Sequence, residues 1–338
     1  MPRNIPVVWS ATSKLPRTYK KQVVWGVLLG AFVSGGLVAA TVPTSLQALG
    51  PVLIGTSTPK ATVLFVGDVM LDRSIRSAIT KKGSAYVFGG VAPLLQSADL
   101  TVGNLEGPVT NNPSTSYGSA IGGPDNYTFT FPTTSPALLT SYGFDVVSIG
   151  NNHIFDFGHI GVEDTIQYLH RAGLSFVGNP LSTSPSIVFK SVNGITIAFL
   201  AYNDFVGQDV SALKDAIARA RLHANVVVVL AHWGVEYVSK APARIQTLAH
   251  TLAKAGADII IGTHPHVIQP FEDIQTGTHT TRVYYSLGNF IFDQWFSPEV
   301  TCGLTVQATI TKTSGVHIDY MSTKVGLRSG GATVVGCN

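Results

Sequence analysis

Three consecutive isoleucines, residues 259–261, lead directly into the sequence Gly-Thr-His-Pro-His at 262–266. Because this run is β-branched and apolar on both faces, it predicts a central strand of a sheet that is covered on both sides. A helical pattern at 245–255 separates it from an earlier apolar run at 226–230. Strand, helix and strand in this order predict a parallel βαβ unit, so we expect an α/β fold.

Two histidines, His264 and His266, follow the isoleucine strand. We expect Pro265 to hold the backbone extended, so that the two imidazoles point to the same side. In open α/β sheets, ligands bind beyond the carboxyl ends of the strands, where this pair lies. Imidazole is also a common ligand of Zn, Mn and Fe. Taken alone, the pair would equally fit two loop histidines without a function.

Four other apolar runs, at 61–66, 99–102, 146–149 and 226–230, also end in potential metal ligands. The residues that follow them are Asp68; Asn104 and Glu106; Asn152 and His153; and His232. Any one of these could be a turn or capping residue, but five such strand ends are hard to explain as coincidences. Carboxylate, amide and imidazole together suit one or two divalent ions, which can polarise a phosphoryl or carboxyl group.

Other segments complete the expected domain. Asp156 is close enough to His153 in sequence to orient its ring. A strand from residue 282 carries Ser286, Asn289 and Asp293 to the same end of the sheet, as substrate contacts or as turn residues. Residues 110–126 lack periodicity and predict a long loop that could cover the site. Helices are expected from about residue 74 and at 165–172, 210–222 and 245–255, with further strands at 195–202, 304–310, 316–321 and 333–335. We interpret the helical histidines His170, His223 and His250 as structural.

The segment 23–42 contains no charged residue and follows five basic residues, Arg3, Lys14, Arg17, Lys20 and Lys21. Twenty residues of helix span a bilayer core, and the basic flank predicts a cytoplasmic N-terminus with the rest of the chain outside. A signal peptide cleaved near residues 38–40 is the alternative. The expected division is a cytoplasmic tail at 1–21, a transmembrane anchor at 22–43, a linker at 44–60 and a folded domain at 61–338.

Charge and cysteine content limit the classes of partner. Without the five N-terminal basic residues, 17 of the 22 Lys and Arg remain against 19 Asp and Glu, so we expect no nucleic-acid partner. Cys302 and Cys337 could form a disulfide outside the cytoplasm, although two free thiols would also fit.

The motifs in their order strongly resemble the CapA family of capsule-synthesis proteins, whose members are linked to poly-γ-glutamate capsules. They are GDVML at 67–71, NLE at 104–106, NNHIFDFG at 151–158, HWGVEY at 232–237, GTHPH at 262–266 and YSLGNF at 285–290. The resemblance extends from about residue 62 to 294. Behind it lies a wider similarity to calcineurin-like metallophosphoesterases, which implies a metallophosphatase-like sandwich of two mixed β-sheets flanked by helices.

The wider similarity also implies roles for individual residues, with His153 as a general acid. The implied ligands are Asp68 and His266 on a first metal and Asn152, His232 and His264 on a second. The chain departs from the pattern at Met70, where a histidine is expected, and at the bridging aspartate, for which Asn104 and Glu106 are candidates. We favour Glu106, because a ligand shared by two cations should be anionic. A thioether is a poor ligand for Mn or Zn, so we expect one tightly held ion and a second that is weak or absent.

The resemblance implies a membrane-anchored, outward-facing protein in the synthesis, export or attachment of poly-γ-glutamate or a similar anionic polymer. Its expected partners are the polymer and membrane synthase subunits. His153 and Glu236 are the candidate proton carriers, with Asp156 beside His153. Candidate substrate contacts are Asn151, Trp233, Ser286, Asn289 and Asp293. An extracellular metallophosphoesterase and a non-catalytic polymer-binding subunit are the alternative functions, so catalysis by a metal-dependent hydrolase or transferase stays open.

Overall fold

The computed structural model describes residues 58–328 and 331–333, and all structural statements below refer to these residues. Its strands are β1 Lys60–Val69, β2 Leu100–Leu105, β3 Val146–Ser148, β4 Ser175–Val177, β5 Val188–Val192, β6 Ile195–Asn203, β7 Val226–His232, β8 Ile259–Thr263, β9 Ile268–Thr276, β10 His279–Leu287, β11 Asn289–Ile291, β12 Cys302–Lys312, β13 Val316–Arg328 and β14 Gly331–Thr333. The helices are α1 Arg73–Lys82, α2 Ser84–Phe88, α3 Ala92–Leu95, α4 Ser135–Tyr142, α5 Gly158–Arg171, α6 Val210–Arg221 and α7 Ala243–Lys254.

The strands form two mixed sheets. The first has the order β14-β13-β12-β1-β2-β3-β4, with β11 paired to β1, and the second has the order β5-β6-β7-β8-β10-β9. In the first sheet β1, β2, β3 and β4 run parallel to one another, while β12, β13 and β14 add antiparallel pairs. In the second, β6, β7, β8 and β10 are parallel and the edge strands β5 and β9 are antiparallel. The predicted pair of mixed sheets is confirmed.

Three apolar clusters explain why the sheets stack with helices on their outer faces. In β1, Val63 and Phe65 belong to a cluster shared with the second sheet, whereas Leu64 and Val66 belong to a cluster shared with α1 to α5. A third cluster joins the second sheet to α6 and α7. Because successive side chains of a strand point to opposite faces, a strand that is apolar at every position is buried on both. The result is helix, sheet, sheet and helix in four layers.

Most predicted elements are present, with shifted ends. The run 61–66 extends to Val69, so Asp68 lies within β1 and not beyond it. Residues 110–126 are irregular until a short 3-10 helix begins at Pro124, as the predicted loop requires. The strands that sequence patterns did not predict are β4, β5 and β9, and each lies at the edge of a sheet.

Some expectations fall on other parts of the chain. The predicted anchor at 22–43 lies outside the described residues, and among those described there is no helix both long and apolar enough to cross a membrane. Cys302 is part of a disulfide. Cys337, the other cysteine of the sequence, lies outside the described residues.

A close backbone approach at Gly67 aligns β1 with the turn between β10 and β11. A Cβ atom at Gly67 would lie 1.8 Å from the carbonyl oxygen of Gly288. The next residue, Asp68, donates its N–H to that same oxygen at 3.1 Å. Only glycine allows this contact, and the contact fixes where the Asp68 side chain begins.

We therefore expect Gly67→Ala to lower the free energy of unfolding by about 1–3 kcal/mol, because the added methyl group must push two backbones apart. Gly315→Ala is the matched control, since a Cβ there meets nothing within 4 Å. It should change stability by less than about 0.5 kcal/mol. Denaturant unfolding of both variants measures the difference, and equal stability would show that the close approach is unimportant.

Candidate metal centre

Asp68 lies at the centre of the site, fully buried in β1. Its Oδ1 accepts a hydrogen bond from Asn104 Nδ2 at 2.8 Å, and Asn104 is its register partner on β2. Its Oδ2 accepts the backbone N–H of His264 at 3.3 Å and lies 3.4 Å from His266 Nδ1. Asn104 belongs to the first sheet and both histidines follow β8 of the second, so the carboxyl ends of the two sheets meet at Asp68.

Glu106 places a second buried carboxylate beside Asp68. Its Oε2 accepts the same Asn104 amide at 3.2 Å, and its Oε1 lies 3.5 Å from His266 Nε2. Oε1 is buried and makes no hydrogen bond. The Asn104 amide donates to both carboxylates, so of the two candidates for the bridging position only Glu106 brings a carboxyl group.

His232 is the last residue of β7 and brings an imidazole into the same pocket. Its Nε2 lies 2.9 Å from Asn152 Oδ1, and its Nδ1 lies 2.9 Å from Thr263 Oγ1. Ligand atoms of Asp68, Glu106 and His232 all lie within 4.8 Å of one another, the arrangement of a group that could hold a metal ion. The three residues are far apart in sequence, and the fold brings them together.

His264 and His266 complete the ring of imidazoles, but not through an extended backbone. Their φ angles are 95° and 58°, so the expectation that Pro265 keeps both residues extended is wrong. The chain bends sharply between β8 and β9, and this bend turns both rings towards the site. The His264 ring centre lies 4.9 Å from that of His232 and 6.0 Å from that of His266.

Unpartnered polar atoms test whether these residues fit a metal. Glu106 Oε1 and His264 Nδ1 are buried and make no hydrogen bond. A buried polar atom without a partner costs about 1–3 kcal/mol, and such atoms in a native fold indicate a missing ligand. Both atoms belong to residues predicted as metal ligands, so the donor set fits a divalent cation of the Mn, Zn or Fe kind.

Burial shifts the protonation of the site. Burial, followed by the negative charge of Asp68, raises the pKa of Glu106 well above its usual value. Burial lowers the pKa of His264 to about 4, with His266 adding to the effect, and it lowers that of His232 well below its usual value. For Asp68, burial acts to raise the pKa, but the contacts with His266 outweigh it and the pKa falls. Burial thus disfavours the charged forms of Glu106, His232 and His264.

His153 and Asp156 make the predicted contact at the edge of the cluster. His153 Nδ1 lies 2.9 Å from Asp156 Oδ2, which also accepts the backbone N–H of Phe129 at 2.7 Å. The Phe129 ring packs on the His153 ring with centres 4.2 Å apart. These contacts fix the ring of His153 and leave its Nε2 as the nitrogen not bound by Asp156. Glu236, the other predicted proton carrier, is exposed.

Two of the five predicted substrate contacts use their polar groups within the fold. Trp233 is fully buried and donates its indole N–H to the carbonyl of Tyr285 at 2.9 Å. Ser286 is also fully buried, and its Oγ accepts the N–H of Gly288 at 3.1 Å. Both residues hold β10 in place and do not face a ligand.

The other three are tied to neighbouring side chains of the site. Asn151 is buried and donates to the Asn104 side chain at 3.2 Å, and Asn289 Oδ1 lies 2.9 Å from His266 Nδ1. Asp293 accepts from the Arg73 guanidinium and from the backbone N–H of Ser74. These residues orient others, and the side-chain oxygen of Asn151 is buried and makes no hydrogen bond.

Comparisons with known proteins identify the family. The family described as "Bacterial capsule synthesis protein PGA_cap" matches residues 62–294. The chain belongs to this family. It is 32% identical over 300 residues to "Capsule biosynthesis protein CapA" of Bacillus anthracis, covering 83% of this chain and 71% of that protein. It is 36% identical over 247 residues to "PGA biosynthesis protein CapA" of Bacillus subtilis (strain 168), covering 68% of this chain and 63% of that protein.

The chain thus spans less than two thirds of the Bacillus subtilis relative. Among solved structures, one described as a novel phosphatase from Mycoplasma pneumoniae is 13% identical with a TM-score of 0.45, covering 79% of this chain and 95% of that one. The fold of this PGA_cap chain is therefore assigned from the strand order of its own two sheets.

Residue 70, where this PGA_cap chain departs from the wider pattern, lies in the core. Met70 is fully buried among the apolar residues between the first sheet and its helices. Its sulfur lies 3.0 Å from the backbone nitrogen of Asp72, which donates to it. The side chain is thus engaged by the protein itself, as expected for a position that contributes no metal ligand.

Sequence patterns missed several residues that shape the site. The Phe205 ring packs 4.3 Å from that of His264, and Tyr237 lies 6.0 Å from His266. Arg73 lies over Phe129 and Phe292. Tyr237 follows the His232 motif directly and could have been found from that position. Phe205 and Arg73 carry no local signal, because only packing brings them to the site.

We expect a divalent ion binding here to release protons, because the raised pKa of Glu106 favours its protonated form and a ligand carboxylate must be deprotonated. The apparent affinity should therefore rise with pH above the ordinary range of a glutamate. His264, whose pKa is about 4, is already deprotonated at neutral pH and should release none. Calorimetry with Mn²⁺ in two buffers of different ionisation enthalpy measures the proton number, and the stoichiometry should be about one tight ion.

Glu106→Gln should remove the proton release and weaken Mn²⁺ binding. Glu272 is a half-exposed carboxylate on β9, and Glu272→Gln should leave both quantities unchanged. His232→Ala should abolish tight binding. Unchanged proton release in Glu106→Gln would contradict this assignment of the bridging carboxylate.

Proposed function

We propose that this chain, with a divalent ion bound in the cluster that contains Asp68, Glu106 and His232, acts in the synthesis, export or attachment of poly-γ-glutamate or a similar anionic polymer. The observation that carries the proposal is the buried cluster of carboxylates and imidazoles with unpartnered ligand atoms. Its presence in a chain of the capsule synthesis family supports the polymer as the substrate class. Membrane synthase subunits are the proposed partners.

The proposed metal site is asymmetric. His232, His264, Asn152 and Glu106 would hold the tight ion. A second ion would rely on Asp68, His266 and the shared Glu106, because Met70 is engaged in the core. When bound, the metal supplies Lewis acidity that polarises a carbonyl or phosphoryl oxygen and lowers the pKa of bound water.

The residues of the chain would orient ligands and move protons. Thr263 and Asn289 hold the rings of His232 and His266 through hydrogen bonds of 2.9 Å each. His153, whose Nδ1 faces Asp156, would give a proton from Nε2 to the leaving group. The exposed Glu236 would exchange protons with solvent. Hydrolysis or group transfer at a polymer amide requires a proton donor, here His153, and metal ligands held in fixed positions, here His232 and His266.

A metallophosphoesterase is the second candidate function. The same two carboxylates and three imidazoles would suit a phosphoryl group, since divalent ions stabilise its oxygens. Because Met70 is engaged in the core and contributes no ligand, we expect a single tight ion. A single ion cannot clamp the attacking and leaving oxygens symmetrically, so we rank phosphoester hydrolysis below polymer chemistry. A non-catalytic polymer-binding subunit would need no proton carrier at His153, which makes that residue the test.

A poly-γ-glutamate-producing Bacillus whose own CapA has been removed provides the assay. We expect the unmodified chain to restore surface polymer and His232→Ala to fail. His153→Ala should reduce polymer by about a hundredfold or more, because general acid catalysis contributes that much. His170→Ala is the control, an exposed histidine on α5 whose ring contacts only Phe176 among the ring pairs of the described residues.

Normal polymer from His153→Ala would favour the non-catalytic subunit. Rapid hydrolysis of a simple phosphodiester by the purified chain, with two tightly bound ions, would favour the phosphoesterase.

We also propose that residues 22–43 anchor the chain with its folded domain outside the membrane, on the basis of hydropathy and the five N-terminal basic residues. Protease added to intact spheroplasts should digest the chain after residue 42 and spare an epitope at the N-terminus. The same protease after lysis should remove both. Protection of the folded domain in intact spheroplasts would overturn this topology.

A further inference from the structure

Arg73 places a buried positive charge beside the metal centre. It is the first residue of α1, and only 10% of its side chain is exposed. Its guanidinium carbon lies 4.9 Å from the centre of the Phe129 ring and 5.5 Å from that of Phe292. Removing such a charge from water costs several kcal/mol before any compensation, so its position needs an explanation.

The two rings connect Arg73 to the site. The Phe129 ring contacts His153 at 4.2 Å, and the Phe292 ring contacts His266 at 4.8 Å. The guanidinium is thus one ring away from both the proposed acid and a proposed metal ligand. Its charge also reaches Glu106, where it partly offsets the rise in pKa that burial and Asp68 cause.

The hydrogen bonds of Arg73 leave part of its guanidinium open. Nη2 donates to Asp293, whose other oxygen is held by Ser74, so this end of the group is fixed. Nη1 makes two long contacts, 3.2 and 3.3 Å, to the carbonyl and side-chain oxygens of Asn126 on the long loop. Nε is buried and makes no hydrogen bond. An open donor on a charged, nine-tenths buried side chain favours an anionic acceptor.

The backbone of Arg73 is strained in addition. Its φ of 48° lies in the left-handed region, which is costly for a residue with a side chain. Strain of this kind costs about 1–3 kcal/mol and clusters at functional sites.

We propose that Arg73 is the anion-binding residue of this site. Its Nη1 takes an oxyanion of the substrate, a carboxylate or phosphoryl oxygen, next to the metal ligands, and the long contacts of Nη1 to Asn126 give way to it. The assignment deepens the proposed function, because it gives recognition of the anionic group to one residue. It rests on the proposed function for the identity of the polymer. Arginine suits the role because its planar fork matches oxyanion geometry.

The competing explanation is that Arg73 only clamps the loop around Asn126. Arg76 provides a matched control for that role. It also lies on α1 and is largely buried, with 20% of its side chain exposed. Its Nε, like that of Arg73, makes no hydrogen bond, although it lies 2.7 Å from Asp72 Oδ1. Arg76 donates to the carbonyl of Thr130 at the end of the same loop region. Its partners are thus those of a clamp and do not include the rings beside His153 and His266.

Calorimetry of the whole chain with Mn²⁺ tests the proposal with two probes, a short γ-glutamyl oligomer and inorganic phosphate. We expect Arg73→Met to weaken anion binding about tenfold to a hundredfold while Mn²⁺ affinity stays unchanged. Arg73→Lys, which keeps the charge and the pairing with Asp293, should lose less, because it lacks only the fork. Arg76→Met should lower the melting temperature and leave anion affinity within about twofold.

Each outcome decides between the explanations. Equal anion binding in Arg73→Met and the unmodified chain, or an equal loss in Arg76→Met, would overturn the proposal. Binding of neither probe by the unmodified chain would overturn it as well. If phosphate binds in an Arg73-dependent way but the oligomer does not, the anion site stands and the polymer assignment of the proposed function fails. If the oligomer binds independently of Arg73, the polymer assignment stands and the anion site at Arg73 fails.

Discussion

Two carboxylates, Asp68 and Glu106, are buried in one pocket. The cost of burying them must be offset by hydrogen bonds and charges, and this requirement determines how the two sheets meet. Each carboxylate would cost several kcal/mol if left unpaired in the interior. The Asn104 amide donates to both, and the backbone of His264 and the ring of His266 approach from the second sheet. Because the compensating groups come from both sheets, the carboxyl ends of both must meet. A divalent cation would complete this compensation.

The backbone is strained where the site is built. His264, His266, Tyr237 and Arg73 have φ angles of 95°, 58°, 61° and 48°. Such conformations cost about 1–3 kcal/mol each, and they persist only where the surrounding structure determines them. For His264, His266 and Tyr237 the support is the second sheet, and for Arg73 it is the ion pair with Asp293 and the rings of Phe129 and Phe292. A Cβ on Gly262 would lie 2.6 Å from the Trp233 indole nitrogen, so Trp233 packs tightly against the end of β8.

The chemistry of the site was largely predictable from the sequence, whereas the side chains around it were not. Asp68, Glu106 and His232 follow or end apolar runs, so they were recognisable as ligands. Trp233 and Ser286 stand in the same motifs and were assigned to the substrate, yet packing buries them. The strands β4, β5 and β9 were missed because they are edge strands, in which short length or partial exposure weakens the periodic pattern.

The sequence by itself determined that this is an α/β chain whose buried strands end in candidate metal ligands, because residue type and periodicity are local properties. Only the tertiary structure decided which strand ends meet. It set Asp68 of one sheet against His264 and His266 of the other, and it brought Arg73 to the rings beside His153 and His266. The reason is physical: these contacts arise from stacking two sheets across a shared apolar core, and no local pattern encodes the position of one sheet on the other.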